Sequence, residues 1–283
     1  MANLKELRRR IASIGTTMKI TSAMKMVSAA KLKKAQDAIQ SMRPYSEKLT
    51  EILQNVSSSL APDENPYAIE RPANKILLVA LTSNRGLCGP FNSSIIKATL
   101  ARAAALKGAE VEIFAIGKKA ADLLGKTLKV THRETDIWNN ISYENTDAIA
   151  QKLMEGFADK KWDRIELIYN QFRNAAVQVV TNEQFLPIQI PESDGGSGDY
   201  IYEPNKEQII EELIPISLRT QFYKAVLDSN ASEHGARMTA MHKATDNAGE
   251  LRGALSLEYN KARQAAITNE ILEIVSGANA LEG

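Results

Sequence analysis

Gly125-Lys126-Thr127 ends like a phosphate-binding loop. The glycine that such a loop carries five residues ahead falls at position 120, which is Ala120. The tripeptide also closes a predicted helix, whereas a phosphate cradle opens one, so Gly125 reads as a helix-terminating glycine. Arg85-Gly86-Leu87-Cys88-Gly89 lies between a predicted strand and a predicted helix, where open α/β sheets hold ligands. It lacks the spaced glycines of a dinucleotide fingerprint and reads as a structural turn. Cys88 is a nucleophile by atom type, but nothing in the sequence supplies its base, and a buried thiol is the simpler reading. The histidines are His132, His234 and His242. The last two are eight residues apart on a predicted helix, roughly 12 Å, too far to share a metal. The sequence thus offers no catalytic dyad, no cofactor site and no metal site.

Hydrophobic residues make up 44% of the 283 residues and charged residues 24%, as in ordinary soluble proteins. Aromatics at 6% are sparse for a large compact core, which points to an elongated, Ala/Leu/Met-rich part. A net charge of +1 excludes general polyanion binding by charge alone. One cysteine excludes an internal disulfide and a cysteine zinc cluster, and it fits a reducing compartment. No apolar run approaches the ~18 residues of a membrane span. The basic, amphipathic N-terminus has no signal core, and a transit peptide is rejected because a heptad pattern begins at Leu4. A cytoplasmic protein is expected.

Two proline- and glycine-rich stretches, 61–74 and 191–205, divide the chain. The expected organisation is an N-terminal coiled-coil helix over 1–60, an α/β globular domain over 75–190 and a C-terminal coiled-coil helix over 206–283. In the first arm, Leu4, Ile11, Met18, Lys25, Leu32, Ile39, Ser46 and Leu53 form one heptad series. Leu7, Ile14, Thr21, Ser28, Ala35, Met42, Leu49 and Val56 form the other. Such spacing predicts a helix that coils around a partner, roughly 85 Å long at about 1.5 Å per residue. Pro44 should kink it. At Thr21, Lys25 and Ser28 the stripe is expected to move to Ile20, Met24 and Val27, so that the helix changes partner. In the last arm Met241, Ala244, Ala248, Leu251 and Leu255 follow 3-4 spacing, and Ile267, Ile271, Ile274, Ala278 and Leu281 follow it in shifted phase. Pro215 marks an early kink or a first turn. The two arms are expected to pair antiparallel around the inserted domain.

The middle segment alternates. Strands are predicted over 75–81, 111–117, 165–172 and 177–185, and helices over 91–106, 118–128 and 144–160. This order predicts an open, Rossmann-like α/β sheet.

At this point a family resemblance emerges. Residues 11–32 (IASIGTTMKITSAMKMVSAAKL), 82–92 (TSNRGLCGPFN), Ala244-Thr-Asp-Asn-Ala and 259–278 (YNKARQAAITNEILEIVSGA) resemble the signatures of the γ-subunit family of F-type ATP synthases. The likeness covers the whole chain in the same order as the arm–domain–arm layout. Asn84 and Pro90 stand where that family more often has an acid and a glycine, and His234 and Gly253 are also uncommon choices. The cysteine pair that plant chloroplast members use for redox control is absent.

The resemblance implies a non-catalytic rotor shaft. It implies α and β subunits of a catalytic hexamer, an ε subunit and a membrane ring of c subunits as partners, and no nucleic acid. It implies a peripheral location on the cytoplasmic face of the bacterial plasma membrane and no direct membrane span. Nine Lys/Arg against Glu6 and Asp37 give residues 1–40 a net charge of +7, which suits acidic loops of β passing close by. Residues 264–283 contain no Lys or Arg and suit an apolar sleeve. Seven of the eight methionines lie in the arms, with Met154 alone in the middle. Met24 and Lys25, with Arg263 and Gln264 across the helix pair, are expected to form a neck facing β; Ile267, Glu270, Ile271 and Ile274 are the further expected rotor–stator contacts. Two other readings compete: a nucleic-acid-binding coiled coil using the basic arm, and an α/β enzyme with its ligand near Arg85–Gly89.

Overall fold

The computed structural model describes residues 4–57, 66–188 and 206–282. Most of the stretches 61–74 and 191–205 that sequence reasoning read as linkers lie outside the described residues; within them, residues 66–74 form a turn and an extended lead into the first strand. The elements in chain order are helix α1 (Leu4–Ser57), strand β1 (Lys75–Leu81), α2 (Phe91–Ala105), β2 (Glu110–Ile116), α3 (Lys118–Leu124), β3 (Lys129–Glu134), a short 3-10 turn (Asp136–Trp138), α4 (Tyr143–Ala158), β4 (Arg164–Phe172), β5 (Gln178–Leu186) and α5 (Lys206–Glu282). The chain forms two compact units, residues 1–27 with 238–283, and residues 28–237.

The first unit is an antiparallel helix pair. As numbering rises along α1, it falls along α5. A Cβ on Gly15 would stand 4.0 Å from Arg252 Nε, a Cβ on Gly249 would stand 4.0 Å from Met18 Sδ, and the Thr21 and Thr245 hydroxyls share a hydrogen bond of 2.8 Å. The predicted heptad positions of this unit, from Leu4 to Lys25, are all buried or half-buried, Leu7 and Thr21 most deeply. The expected sidestep at Thr21 does not occur. Ile20 and Val27 are 55% and 58% exposed, while Thr21 stays in the seam. The reason is pairing: one threonine hydroxyl donates to the other, which donates to the carbonyl of its own preceding turn, so neither leaves an unsatisfied polar group. On α5 the seam runs through Met241, Ala244, Ala248, Leu255, Tyr259 and Ala262. Leu251 instead faces solvent, at the level where Arg252 approaches Gly15.

The second unit centres on a five-stranded sheet of order β3-β2-β1-β4-β5, parallel except for the β4–β5 pair. β1 is buried on both faces, which is why its sequence is a continuous apolar run rather than an alternation. Leu77, Val79 and Leu81 meet Ile165, Leu167, Tyr169, α4 and the 214–226 stretch of α5. Ile76, Leu78 and Ala80 meet α2 and α3 on the other face. Buried Glu166 is paired with Arg102 through two bonds of 2.7 and 2.6 Å and accepts a third from Asn182. Those partners hold its carboxyl below the usual range against the upward push of burial. Ser142 caps α4 by accepting from the Asn145 N–H. Arg219 of α5 reaches Asp147 of α4 at 3.0 Å. The α1 seam positions in this unit, Ser28 to Leu49, are again all buried or half-buried.

Three sequence-level expectations change. The helix expected over 118–128 stops at Leu124, where Gly125 ends it. The following residues form β3, an edge strand whose charged ends (Lys129, Arg133, Glu134) hid it. Pro215 lies well inside α5 rather than in its first turn.

Candidate functional site

Two places have the makings of a site, and each lies within one unit. The first is the crevice at the carboxyl ends of β1 and β4. The strand order reverses there, since β1 is followed by β2 on one side and β4 sits on the other, and open α/β sheets bind ligands at such points. In this chain its own helix fills the crevice. Asp228 of α5 accepts from the Phe172 backbone N–H, and Ser232 donates to Asn170 O at 2.9 Å. A Cβ on Gly235 would stand 3.3 Å from Ala175 Cα, so the helix lies close against the turn after β4. Ala236 packs with Cys88 and Phe91, and Arg237 donates to the Gly86 carbonyl while pairing with Glu233.

The turn that sequence reasoning singled out at Arg85–Gly89 is therefore an anchoring point for α5. Leu87 and Gly89 have φ of 63° and 56°, a left-handed backbone that costs Leu87 about 1 kcal/mol. Asn84 ties the turn down: its amide donates to Thr135 O at 2.8 Å, and its oxygen accepts from the Lys118 N–H. Pro90 sits at the N-cap of α2. Cys88 is buried, bonded by Asn92 at 3.1 Å, and burial pushes its thiol up, away from a nucleophilic thiolate. Sequence reasoning missed this clamp. The available signal was residues 229–236 (SNASEHGA), whose small side chains let a helix approach closely, flanked by the ionisable Asp228 and Arg237.

Gly125-Lys126-Thr127 leads from α3 into β3, with the Thr127 N–H bonded back to Leu124 O, and cradles nothing at a helix start. His132 stacks on Phe114 at 5.2 Å, with its ring pKa lowered by burial. His234 is pushed down to about 4 by burial and by the nearby cations Lys31 and Arg237. His242 neighbours Asp246 at 3.3 Å. Among the described residues no cluster of His, Cys, Asp and Glu has metal-binding geometry. Among them, too, no helix is long and apolar enough to cross a membrane.

The second place is the far end of α5, in the first unit. Leu4 stands eleven residues before Gly15, and eleven residues after Arg252 comes Arg263, so this register leaves α5 without a described α1 turn opposite it beyond Arg263. Every described side chain from Arg263 to Asn279 is exposed accordingly. Ile267 (49%), Ile271 (55%) and Ile274 (66%) are bare, and so are Leu272 and Val275. Glu270 and Gln264 are exposed among them.

The register also corrects the expected neck. Met24 and Lys25 are half-buried near the Met241–Thr245 turns, whereas Arg263 and Gln264 lie at the level of Leu4. Those two levels are roughly 33 Å apart along α5 at about 1.5 Å per residue. The eight residues thus form two separate surfaces rather than one. Around the surface at Arg263, α1 presents Arg8, Arg9 and Arg10 to solvent, with Arg10 held by Glu6 at 2.9 Å, while exposed Lys19 lies nearer the level of Met24 and Lys25.

An elongated helix pair with a bare apolar end, joined to a sheet whose ligand crevice is plugged, has known counterparts. The ATP synthase family model matches residues 3–281. The ATP synthase gamma chain of Flavobacterium johnsoniae is 61% identical over 286 residues and covers 100% of both chains. That of Cytophaga hutchinsonii is 49% identical over 293 residues and covers 99% of both. The central stalk of Tetrahymena thermophila mitochondrial ATP synthase is similar in structure, with a TM-score of 0.59 and 27% identity over 80% of this chain and 99% of that one. A chain of the Euglena gracilis mitochondrial ATP synthase shares the fold at a TM-score of 0.68 and 21% identity, covering 98% and 94%. The chain belongs to the ATP synthase gamma-chain family.

Proposed function

We propose that this chain is the central-stalk rotor subunit of a proton-translocating F-type ATP synthase, a part of the complex with no catalytic activity of its own. In this reading its partners are the α and β subunits of the catalytic hexamer, the ε subunit and the membrane ring of c subunits. It works at the cytoplasmic face of a bacterial plasma membrane, organised as arm 1–60, domain 75–190 and arm 206–283. Proton flow turns the ring and the stalk, and the unlike faces of the helix pair push the β sites through states of different nucleotide affinity.

The observation that carries this reading is the uncovered end of α5. Its exposed isoleucines lie on a helix with no cation after Arg263. Apolar contact is non-directional, so a sleeve of apolar residues from α and β holds such a helix without fixing its rotation. Arg8, Arg9 and Arg10 of α1 near that end, and exposed Lys19 with half-buried Lys25 further along the pair, suit contacts made and broken at each step, since exposed ion pairs are worth only about 0–1 kcal/mol. Met24, Lys25, Arg263, Gln264, Ile267, Glu270, Ile271 and Ile274 are the residues assigned to those sliding contacts.

Co-expression with the α and β subunits tests the proposal. The full chain is expected to co-purify with both, and alone to hydrolyse no ATP. Lys25→Glu or Arg263→Glu is expected to leave assembly intact and to lower ATP-driven proton pumping relative to ATP turnover. A chain that ignores both subunits, or charge reversals that both pump normally, contradicts the reading.

A further inference from the structure

Within the second unit a cleft of about 280 Å³ opens between α1, the turn after β4, and α5. Met42 and Phe172 form part of its apolar lining, and Arg43, Arg173 and Lys224 enter from the three different elements. Among the described residues these cations have no hydrogen-bond or ion-pair partner. One carboxylate shares the cleft, that of buried Asp228, which is already engaged by the Phe172 N–H.

We infer that this cleft binds a phosphate-bearing anion, with Arg43, Arg173 and Lys224 donating to its oxygens. Three like charges brought together by separate elements repel one another, and nothing in the packing requires them, because Arg43 and Arg173 are exposed and belong to neither core layer. With Asp228 ionised, the lining carries two net positive charges. Arginine forks match phosphate oxygens in pairs, and lysine adds a point charge. The volume lies just under the small-ligand range of about 300–1,000 Å³, which suits a phosphate or diphosphate group rather than a whole nucleotide.

Charge in the cleft also depends on pH. Asp228 is raised to about 6, chiefly by burial, with Glu183 of β5 pushing the same way and Lys224 of α5 and Arg43 of α1 pulling it down. Below that pH the carboxyl takes up a proton, the opposing charge disappears, and anion binding tightens.

The anion has two possible sources, a soluble phosphate compound or a phospholipid headgroup. The test uses the full chain at low ionic strength, with inorganic pyrophosphate in titration calorimetry in one arm. The other arm is flotation with phosphatidylcholine vesicles that contain or lack phosphatidylglycerol. Arg173→Ala/Lys224→Ala is expected to weaken binding by about tenfold or more, given the strength of charge-assisted hydrogen bonds. Lys97→Ala/Lys107→Ala makes the same charge change on exposed residues elsewhere and is expected to leave binding unchanged. Asp228→Asn is expected to tighten it at neutral pH. Selective loss in the pyrophosphate arm assigns a soluble ligand, and selective loss in the vesicle arm alone assigns a headgroup. No binding in either arm, equal losses in the two double variants, or weaker binding by Asp228→Asn overturns the inference.

Discussion

The same helix behaves in opposite ways at two places. Over residues 228–237, α5 is fastened to the sheet by its own ionisable and small residues, and its buried polar side chains include Asp228, Ser232, Glu233 and Arg237. Over 263–279 no described residue covers it, although five large apolar side chains lie there. The comparison teaches where to look for function. A crevice that serves other α/β proteins as a ligand site is here spent on holding a helix. The surface left unsatisfied is the helix end, and an uncovered apolar surface of that kind marks an interaction site.

The comparison can be broken first at the clamp. Arg237→Ala leaves Glu233 buried without its partner and the Gly86 carbonyl without a donor. Chemical denaturation should show a loss of about 3–5 kcal/mol, and a loss below 1 kcal/mol would remove the clamp from the account.

A somewhat smaller effect concerns pH. Asp228 has its folded pKa raised to about 6, so it adds stability at acid pH that is lost as pH rises through that value. His234 has its folded pKa lowered to about 4, so its contribution is full above the unfolded imidazole value and is lost as pH falls toward 4. Each contribution is at most about 3–3.5 kcal/mol, and between roughly pH 4 and 6.5 they oppose each other. Stability of the unaltered chain should therefore change little across that window. Asp228→Asn should make it acid-sensitive and His234→Gln should make it more stable on acidification, as read from denaturation midpoints against pH.

Thr21→Val is the next test. It leaves the Thr245 hydroxyl its own backbone partner, the Met241 carbonyl. A cost of about 0.5–1 kcal/mol is expected, with Thr21→Val/Thr245→Val costing less than the two singles together in a double-mutant cycle.

The smallest effect on folding belongs to the bare end. Ile267→Ala/Ile271→Ala/Ile274→Ala should move the stability of the chain by no more than about 0.5 kcal/mol, since exposed side chains contribute little to folding. The same variant should lose most of its coupling in the assembled complex, as measured by proton pumping per ATP. A large destabilisation with intact coupling would reverse the lesson of the two regions.

Much of the fold was legible in the sequence. The heptads of α1 predicted its buried face through to Leu49, and the apolar run of β1 announced a strand covered on both sides. What stayed hidden had physical causes. β3 is a short edge strand with charged ends, so it lacks an apolar signature. The sidestep at Thr21 was misread because a polar residue in a seam looks like a break until its partner, more than two hundred residues away, is known. For the same reason Arg263 was paired with Lys25: spacing along each helix does not reveal the register between them. The candidate contacts lie at exposed or half-buried positions, and the structure separates them into two levels.

The rotor reading stands on turning, and turning is observable. A complex of the α and β subunits with this chain can be fixed to a surface, with a probe attached through Lys107→Cys in the exposed turn after α2; buried Cys88 would not compete for the label. The account predicts stepwise rotation of the probe in one direction when ATP is supplied, stopping when ATP is withdrawn. A probe that stays still while the same complexes hydrolyse ATP would contradict it.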